Sequence, residues 1–329
     1  MNEARALWTI AAGRCALLTE SLPARGEADV LVRTLASGIS RGTERLVLRG
    51  GVPAAMHGLM RAPFQAGAFP FPVKYGYSAV GMVEDGPADL LHKRIFCLHP
   101  HQDRFVVPAA MAVPVPDAVP DHRAVLAANM ETAVNILWDA RPLAGERVLV
   151  MGAGVVGLLT ALLLSRMSGI DLAIADTDPA RAPTATALGL RFVAPEDAEG
   201  ERDLIVHASG NPDGLRMALS LAGFEGRIVE ASWFGDRQAA LPLGEAFHAK
   251  RLSIISTQVG AVAPAMRGRR THRDRLTLAL SLLDDPRLDV LLGPVTPFEA
   301  LPLAMPALLE PPRGAPAALC PVVTYRDGG

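Results

Sequence analysis

Val148-Leu-Val-Met-Gly-Ala-Gly-Val-Val-Gly157 is an apolar run that leads into three closely spaced glycines, and a helix-forming run from Leu158 to Met167 follows it. The pattern predicts a strand, a tight turn and the start of a helix. The first glycine would permit the turn, the second would let the backbone approach a ligand, and the third would let helix and strand pack closely. The N–H groups at the helix start would then face an anion. This stretch therefore predicts the pyrophosphate-binding turn of a dinucleotide-binding domain.

A second predicted strand supports this interpretation. Asp171-Leu-Ala-Ile-Ala175 is followed by Asp176, which lies about 20 residues past the last glycine, where such domains place an acid. An acid at this place accepts a hydrogen bond from the ribose 2′-OH, and its charge opposes a 2′-phosphate. The sequence therefore predicts NAD rather than NADP.

Two other interpretations of the glycine stretch stay open. Residues 148 to 165 carry no charge, and a run of about that length can span a membrane. Glycines in its first half and an amphipathic continuation favour strand, turn and helix instead. The glycines could also recur by chance in an α/β protein, although the acid at the expected distance argues for a nucleotide.

The composition is that of a soluble globular protein. The 329 residues are 50% hydrophobic and 20% charged, with a formal net charge of −2, and this length can hold two domains. Arg267-Gly-Arg-Arg270 is the only dense basic patch, and a solvated loop or a cofactor phosphate explains it better than nucleic acid does. Three cysteines, far apart, form neither a disulfide framework nor a Cys-x-x-Cys site. With no signal peptide visible, we expect a cytoplasmic protein.

The order of predicted elements indicates two domains. The first third reads as short strands broken by Gly and Pro, which predicts a compact β-rich domain. A proline-rich connector from Val113 to Pro120 places a boundary near residue 118. Strands and helices then alternate, as in a doubly wound parallel sheet. The predicted domains are residues 1–118, 119–265 and a return segment, 266–329, that completes the first domain.

The individual elements follow from the same patterns. The predicted strands are Leu7–Ile10, Val30–Thr34, Ala79–Glu84, Ile95–Leu98, Arg104–Val107, Arg147–Met151, Asp171–Ala175, Asp203–Ser209, Arg227–Trp233, Ser253–Gln258, Val290–Leu292 and Val322–Tyr325. The predicted helices are Asp121–Asp139, Asp274–Leu283 and Phe298–Leu309, with others that begin near residues 155, 179 and 212.

Several segments resemble the medium-chain dehydrogenase/reductase superfamily, which includes the zinc alcohol dehydrogenases and their zinc-free relatives. Ser37-Gly-Ile-Ser-Arg-Gly-Thr-Glu44 is similar to the family's G-[IV]-C-G-[ST]-D loop, and Tyr75-Gly-Tyr-Ser-Ala-Val-Gly81 resembles its G-H-E-x-x-G segment. Asn129-Met-Glu-Thr132 is similar to the family's L-E-P stretch, and Ile255-Ser-Thr-Gln-Val-Gly260 resembles a segment late in the nucleotide domain. The resemblance covers nearly the whole chain. It implies an α/β fold with a Rossmann doubly wound parallel-sheet domain plus a β-rich GroES-like catalytic domain, an active site in the cleft between them, and a homodimer.

The cofactor contacts come from the glycine turn and from this resemblance. In relatives a residue matching Thr132 lies beside the nicotinamide ring, and a basic residue matching Arg181 reaches the adenosine ribose. The predicted cofactor-binding residues are Gly152, Gly154, Val155, Val156, Gly157, Asp176, Thr177, Arg181, Ser209, Gly210, Thr132 and Gln258.

The three positions that hold the catalytic zinc in relatives carry Ser40, Tyr77 and Glu131 in this chain. A hydroxyl and a phenol are poor zinc ligands at neutral pH, and one acid cannot hold the metal. The family's lobe of four closely spaced cysteines is also missing. The sequence therefore predicts no metal.

One alternative metal site stays open. Cys97, His99 and His101 alternate, and on an extended chain they would share one face, with Glu131 as a fourth ligand. The competing interpretation places Cys97 in the strand core and both histidines in a turn around Pro100.

Without zinc, hydride transfer to a carbonyl needs another polarising group and a proton carrier. Tyr77 is the predicted proton donor, Ser40 and Thr43 would relay the proton, and Glu131 and His99 are reserve candidates. A packed aromatic residue at Tyr77 and a structural hydrogen bond at Glu131 are the competing interpretations.

The sequence thus predicts a zinc-independent oxidoreductase that moves a hydride between NAD(H) and a small-molecule alcohol or carbonyl substrate. Two alternatives stay open: an NADPH-dependent enone reductase, and a non-catalytic dinucleotide-binding sensor or partner subunit. The insertion from Gly50 to Phe71, which contains His57, could cover the substrate, form a surface loop or contact another subunit.

Overall fold

The structure, a computed structural model, describes residues 3–310 and 318–325. The chain forms two compact units: unit 1 comprises Met1–Ala128 and Leu276–Gly329, and unit 2 comprises Asn129–Arg275. The boundaries predicted near residues 118 and 265 are therefore both too early. Parts of the predicted return segment, residues 311–317 and 326–329, lie outside the described residues.

Each boundary falls inside a helix and not in a linker. The proline-rich stretch belongs to unit 1, because the Arg94 guanidinium donates hydrogen bonds to the carbonyl oxygens of Pro116 and Val119 at 3.2 and 2.9 Å. The helix after it is also held there, since Arg123 donates to both carboxylate oxygens of Asp289 at 2.7 and 2.8 Å. Prolines stiffen this segment without separating it from the strands that it covers.

The strands and helices follow in chain order. They are β1 (Glu3–Ala11), β2 (Arg14–Ser21), β3 (Asp29–Gly38), α1 (Arg41–Arg49), β4 (Ala66–Gly67), β5 (Val73–Lys74), β6 (Ala79–Asp85), β7 (Arg94–Cys97), β8 (Arg104–Pro108), β9 (Val113–Pro114), α2 (Asp121–Ala124), α3 (Ala127–Ala140), β10 (Arg147–Met151), α4 (Val155–Ser165), β11 (Asp171–Ala175), α5 (Ala182–Ala187), β12 (Phe192–Val193), β13 (Arg202–His207), α6 (Pro212–Leu221), β14 (Ala222–Glu230), β15 (Ser253–Ser256), α7 (His272–Ser281), β16 (Leu292–Pro297), α8 (Leu301–Leu309) and β17 (Cys320–Thr324).

Unit 1 is mainly antiparallel. One sheet has the order β2-β1-β5-β4, and the other has the order β16-β17-β3-β6-β7-β9, with β8 paired to β3. Residues of β3 alternate between buried and half-buried positions, as expected for a strand that packs one face on the core. The apolar cores lie between β3, β6, β7 and β8, and between β17, α1 and α8.

Unit 2 is one parallel sheet with the order β12-β11-β10-β13-β14-β15. This is the 3-2-1-4-5-6 order of the doubly wound nucleotide-binding fold, in which a dinucleotide binds at the carboxyl ends where the order reverses. Here the reversal lies between β10 and β13. Val148, Leu149 and Val150 are fully buried, which explains why β10 is apolar without alternation.

Most of the predicted elements are confirmed with small shifts at their ends, and three predictions are wrong. The loop expected after residue 37 contains the start of α1. The single helix predicted from Asp121 to Asp139 is two helices. The strand expected at Val290–Leu292 is a 3₁₀ turn, and β16 begins at Leu292. Strand β2 was not predicted, because its side chains are half-buried or exposed.

The glycine stretch is β10 followed by α4, as the turn interpretation requires. Among the described helices, none is long and apolar enough to cross a membrane.

Candidate functional site

In the glycine turn of unit 2, the backbone angle of Gly152 and the space around the three glycines agree with the roles expected from the sequence. Gly152 has φ of +110°, and a Cβ there would lie 2.7 Å from the backbone of Ser209. A Cβ at Gly157 would overlap the carbonyl oxygen of Gly152, so helix α4 can approach the turn only without a side chain. A Cβ at Gly154 would meet no atom within 4 Å. The space in front of Gly154 and the start of α4, at Val155 and Val156, therefore fits a pyrophosphate group.

Asp176 lies at the carboxyl end of β11 and supports the same turn. Its Oδ2 accepts a hydrogen bond from the Ala153 N–H at 2.6 Å, and its Oδ1 accepts one from the Asp178 N–H at 2.9 Å. Thr177 between them is exposed. Arg181 Nε lies 3.4 Å from Asp178 Oδ2. The side chain that was predicted to reach the ribose therefore already forms an ion pair with a neighbouring acid.

Other predicted cofactor residues lie elsewhere in unit 2. Thr132 is half-buried on α3. Gln258 is exposed, and its side-chain oxygen accepts a hydrogen bond from the Gly260 N–H at 2.6 Å, which fixes its own loop. Ser209 and Gly210 follow β13, beside the glycine turn.

A second polar group in unit 2 was not predicted. His207 ends β13, Glu230 ends the neighbouring β14, and the two residues are directly paired in the sheet. His207 Nδ1 lies 2.7 Å from Glu230 Oε2, and His207 Nε2 lies 2.7 Å from the Ser209 hydroxyl. The sequence does carry a signal for this group: an ionisable residue ends each of two buried apolar strands.

In unit 1, three hydroxyl groups meet at positions where the resemblance places zinc ligands and their loop. The Tyr77 phenol donates a hydrogen bond to Ser40 Oγ at 2.5 Å, and the Thr43 hydroxyl is near enough to the phenol to lower its pKa. Burial raises the pKa of Tyr77 to about 12, although both hydroxyl neighbours oppose the shift. The phenol therefore stays protonated and acts as a donor near neutral pH.

A chain of hydrogen bonds continues from this cluster. The Ser40 N–H donates to Glu44 Oε1 at 2.7 Å, and Glu44 Oε2 lies 3.0 Å from His101 Nε2. His101 Nδ1 lies 2.7 Å from the Ser37 hydroxyl, which in turn lies 2.9 Å from the Tyr325 hydroxyl. These buried groups fix the start of α1, which carries Ser40 and Thr43 into place.

The alternative metal site is not assembled. His99 stacks on Phe105 with ring centroids 4.0 Å apart, whereas His101 is bound by Ser37 and Glu44. No group of three or more His, Cys, Asp or Glu residues in the described part of the chain could hold a metal ion. Burial also lowers the pKa of His99 to about 3, so this imidazole is a neutral part of the core and a poor proton carrier.

Glu131 is held by a buried ion pair. Its Oε1 accepts a hydrogen bond from Arg275 Nε at 3.1 Å, and the two side chains are 4% and 1% exposed. Arg275 also donates to Asn135 Oδ1 at 2.5 Å and to the carbonyl oxygens of Val259 and Ala261. The ion pair thus anchors the loop after β15 to α3, and Glu131 has the structural role that the competing interpretation gave it.

Similarity to known sequences covers only part of the chain. No family model matches it. An L-threonine 3-dehydrogenase from Mesorhizobium japonicum is 32% identical over 117 residues, which are 36% of this chain and 33% of that protein. An uncharacterized zinc-type alcohol dehydrogenase-like protein from Haemophilus influenzae is 27% identical over 138 residues, 38% of this chain and 40% of that protein. The matched stretch therefore spans well under two thirds of these relatives.

Solved structures match over almost the entire chain. L-idonate 5-dehydrogenase from E. coli K-12 superimposes with a TM-score of 0.80 at 15% identity, covering 98% of both chains. A protein from E. coli CFT073 described as a short chain alcohol dehydrogenase, solved with NADH, gives a TM-score of 0.77 at 18% identity over 99% of this chain and 100% of that one. A putative zinc-binding dehydrogenase from Sinorhizobium meliloti 1021, bound to NADP, gives 0.77 at 17% identity over 98% and 100%. These likenesses show that the chain has the fold of the solved dehydrogenases, and 36% of its length is similar in sequence to an L-threonine 3-dehydrogenase.

Proposed function

We propose that the protein is a zinc-independent oxidoreductase that transfers a hydride between NAD(H) and a small alcohol or carbonyl compound. The observation that carries the proposal is the hydroxyl cluster of Tyr77, Ser40 and Thr43, in which Tyr77 and Ser40 match, by resemblance, two zinc-ligand positions of the family. It occurs in a chain whose unit 2 keeps the dinucleotide turn. By analogy with relatives, we also expect a homodimer.

The glycine turn and Asp176 support a dinucleotide of the NAD type. Gly154 leaves open space at the start of α4, where helix N–H groups favour phosphate. Each carboxylate oxygen of Asp176 accepts one backbone N–H, and a carboxylate has about four acceptor positions. Capacity therefore remains for both ribose hydroxyls, while the negative charge disfavours a 2′-phosphate. When bound, the dinucleotide supplies or accepts the hydride at C4 of the nicotinamide ring.

The hydroxyl cluster supplies the proton. A carbonyl that receives a hydride becomes an alkoxide, which needs a donor within about 3 Å. Tyr77 donates its proton to Ser40 Oγ, so the Ser40 proton is free to pass to the alkoxide while the phenol proton replaces it. Ser40 and Thr43 also lie at the start of α1, where the helix dipole stabilises developing negative charge.

The high pKa of Tyr77 determines which form of the phenol is present. With a pKa of about 12, the phenol is protonated near neutral pH and can donate a proton to an alkoxide. Alcohol oxidation needs the ionised phenolate as proton acceptor, so its rate should increase as the pH rises.

A non-catalytic dinucleotide-binding protein is the second candidate. It is favoured by the structural roles of two predicted catalytic residues, since Glu131 is paired with Arg275 and His99 is stacked in the core. Such a protein would bind NADH without turning over any substrate.

Turnover of NADH with a panel of aldehydes, ketones and enones tests the proposal. Tyr77→Phe should lower turnover about a hundredfold, the usual scale for loss of a general acid, and leave NADH binding unchanged. Tyr75→Phe is the matched control, because Tyr75 lies edge-on to Tyr77 at 5.9 Å and has no proposed role. Parental turnover in Tyr77→Phe would exclude the phenol as the proton source, and binding without turnover across the panel would favour the second candidate.

A further inference from the structure

A buried carboxylate and a buried imidazole adjoin the hydroxyl cluster of unit 1. The Glu44 and His101 side chains are 3% and 1% exposed, and Glu44 Oε2 lies 3.0 Å from His101 Nε2. The other carboxylate oxygen, Oε1, accepts a hydrogen bond from the Ser40 N–H at 2.7 Å. Glu44 therefore contacts the backbone of Ser40, whereas the Ser40 hydroxyl is left to the Tyr77 phenol.

Ser40 precedes α1, at the position where a serine usually stabilises the start of a helix. There the hydroxyl accepts a hydrogen bond from a backbone N–H of the first turn. Among the described residues, the Ser40 hydroxyl makes no such bond, and it accepts the Tyr77 phenol proton instead, at 2.5 Å. The bond from the Ser40 N–H to Glu44 resembles one half of a capping box. Glu44 thus stabilises the helix start in place of the serine hydroxyl.

Two positions of the Ser40 hydroxyl therefore compete. In one position the hydroxyl accepts a hydrogen bond from the Tyr77 phenol, as the proposed proton transfer requires, and in the other it caps α1. Each position gains one hydrogen bond, so the two are close in free energy. Glu44 favours the first position, because its bond to the Ser40 N–H fixes the serine backbone and already stabilises the start of α1.

His101 holds the Glu44 carboxylate in place. A carboxylate only accepts hydrogen bonds, so His101 Nε2 carries a proton. His101 Nδ1 lies 2.7 Å from the Ser37 hydroxyl, which lies 2.9 Å from the Tyr325 hydroxyl. Both hydroxyls can donate or accept, so this series fits either tautomer of the imidazole. In Glu44→Gln the amide N–H could therefore donate to Nε2, while the amide oxygen still accepts the Ser40 N–H.

Ser37, His101 and Glu44 also resemble the catalytic triad of a hydrolase, but burial opposes that role. A nucleophilic serine must reach the substrate carbonyl, and Ser37 is 0% exposed. Its hydroxyl is also bonded to Tyr325. The series therefore supports the start of α1 and has no access to a substrate of its own.

We propose that Glu44, held by His101, is a positioning residue that keeps the Ser40 hydroxyl turned toward Tyr77 and available to the reacting oxygen of the substrate. This inference rests on the proposed function, in which Ser40 passes on the Tyr77 proton. It assigns an effect on the reaction rate to a carboxylate that touches no reacting atom.

Two substitutions separate the position of the carboxylate from its charge. Glu44→Gln removes the charge and keeps both contacts, so kcat for NADH-dependent carbonyl reduction should stay within about threefold of the parental value. Glu44→Asp keeps the charge but is one methylene shorter, so it cannot reach both His101 and the Ser40 N–H. Its kcat should fall about tenfold or more, as for a slightly misplaced group, while the Kd for NADH stays within about twofold. Urea unfolding shows that each variant is folded.

Glu84→Asp is the matched control. Glu84 is a half-buried acid of unit 1 and accepts hydrogen bonds from Arg33 and Arg104, each at 3.1 Å. Shortening it should disturb these bonds and leave kcat unchanged.

A double-mutant cycle shows whether Glu44 acts through the Ser40 hydroxyl. Ser40→Ala removes that hydroxyl, so adding Glu44→Asp should lower kcat by less than about a further twofold. A further loss as large as that of Glu44→Asp alone would show that the carboxylate acts elsewhere, and would contradict the inference.

The other outcomes separate this inference from the function on which it rests. A parental kcat in Glu44→Asp, with or without a loss in Glu44→Gln, would show that the position of the carboxylate does not matter, and the inference alone would be wrong. A parallel loss of kcat, NADH binding and stability in Glu44→Asp would show a structural role only. If the parental protein reduces no carbonyl compound of the panel, both proposals are wrong.

Discussion

Replacing Gly154 with alanine should separate dinucleotide binding from stability. Gly154 precedes α4 with φ of −77° and ψ of 177°, an extended conformation that any residue adopts, and an added Cβ would meet nothing within 4 Å. Removing a glycine from the unfolded chain stabilises a protein by about 0.4–1 kcal/mol, but alanine is a poorer helix N-cap than glycine by a similar amount. The free energy of unfolding should therefore change by less than about 1 kcal/mol.

Binding should respond much more strongly, because the new methyl group occupies the space through which the backbone approaches the pyrophosphate. We expect the Kd for NADH to rise at least about tenfold, or about 1.4 kcal/mol. Fluorescence titration measures the Kd, and urea unfolding of the same sample measures the stability. Gly200→Ala is the matched control, since its Cβ would also meet nothing within 4 Å but lies in the loop before β13.

Gly157→Ala should instead lower the free energy of unfolding. Its methyl group would overlap the carbonyl oxygen of Gly152, and overpacking costs about 1–3 kcal/mol or more. An unchanged Kd in Gly154→Ala would refute the placement of the pyrophosphate at this turn. Equal loss of stability in Gly154→Ala and Gly157→Ala would refute the reasoning from the space around each glycine.

Three further predictions concern ionisable side chains. Asp176→Ser should shift the preference between NADH and NADPH by about 2 kcal/mol toward NADPH, whereas Asp171→Ser, at the other end of β11, should not; tighter parental binding of NADPH would contradict this. The pKa of His99 is about 3 in the folded protein and about 6.5 in the unfolded chain. Stability should therefore fall by about 2 kcal/mol from pH 6.5 to pH 5, and His99→Phe should flatten this part of the urea-unfolding profile; equal slopes would contradict it. Arg275→Met should cost about 3–5 kcal/mol by leaving Glu131 buried and unpaired, and adding Glu131→Gln should recover part of it; a loss below about 1 kcal/mol would show that the pair is not structural.

The sequence predicted features whose causes are local. The glycine turn depends on a few consecutive residues, since the φ of Gly152 and the close approach at Gly157 arise within one strand, turn and helix. The parallel sheet of unit 2 was predicted from the alternation of strands and helices along the chain. The proximity of Ser40 and Tyr77 could also be anticipated from the sequence, because the resemblance matches both residues to zinc-ligand positions of the family. In the structure they form a 2.5 Å hydrogen bond.

Features that depend on distant partners were not predictable in the same way. Glu131 and Arg275 are separated by 144 residues, and nothing near Glu131 in the sequence indicates the arginine that pairs with it. The stacking of His99 on Phe105 depends on where β8 packs, which the alternation of Cys and His does not encode.

The domain boundaries depended on packing as well. The prolines after residue 113 predicted a linker from composition alone, but hydrogen bonds from Arg94 hold that segment in unit 1. The residue types in a segment thus predict its local backbone geometry better than they predict the domain on which the segment packs.

The proposed hydride transfer without zinc is tested by the rate of NADH-dependent carbonyl reduction after dialysis against a strong chelator, measured together with the zinc content of each sample. We expect well under one zinc per chain and an unchanged rate, because Ser40 and Tyr77, which match two zinc-ligand positions of the family by resemblance, hydrogen-bond each other. Zinc at one per chain, with activity that is lost on chelation and returns when zinc is added back, would contradict it.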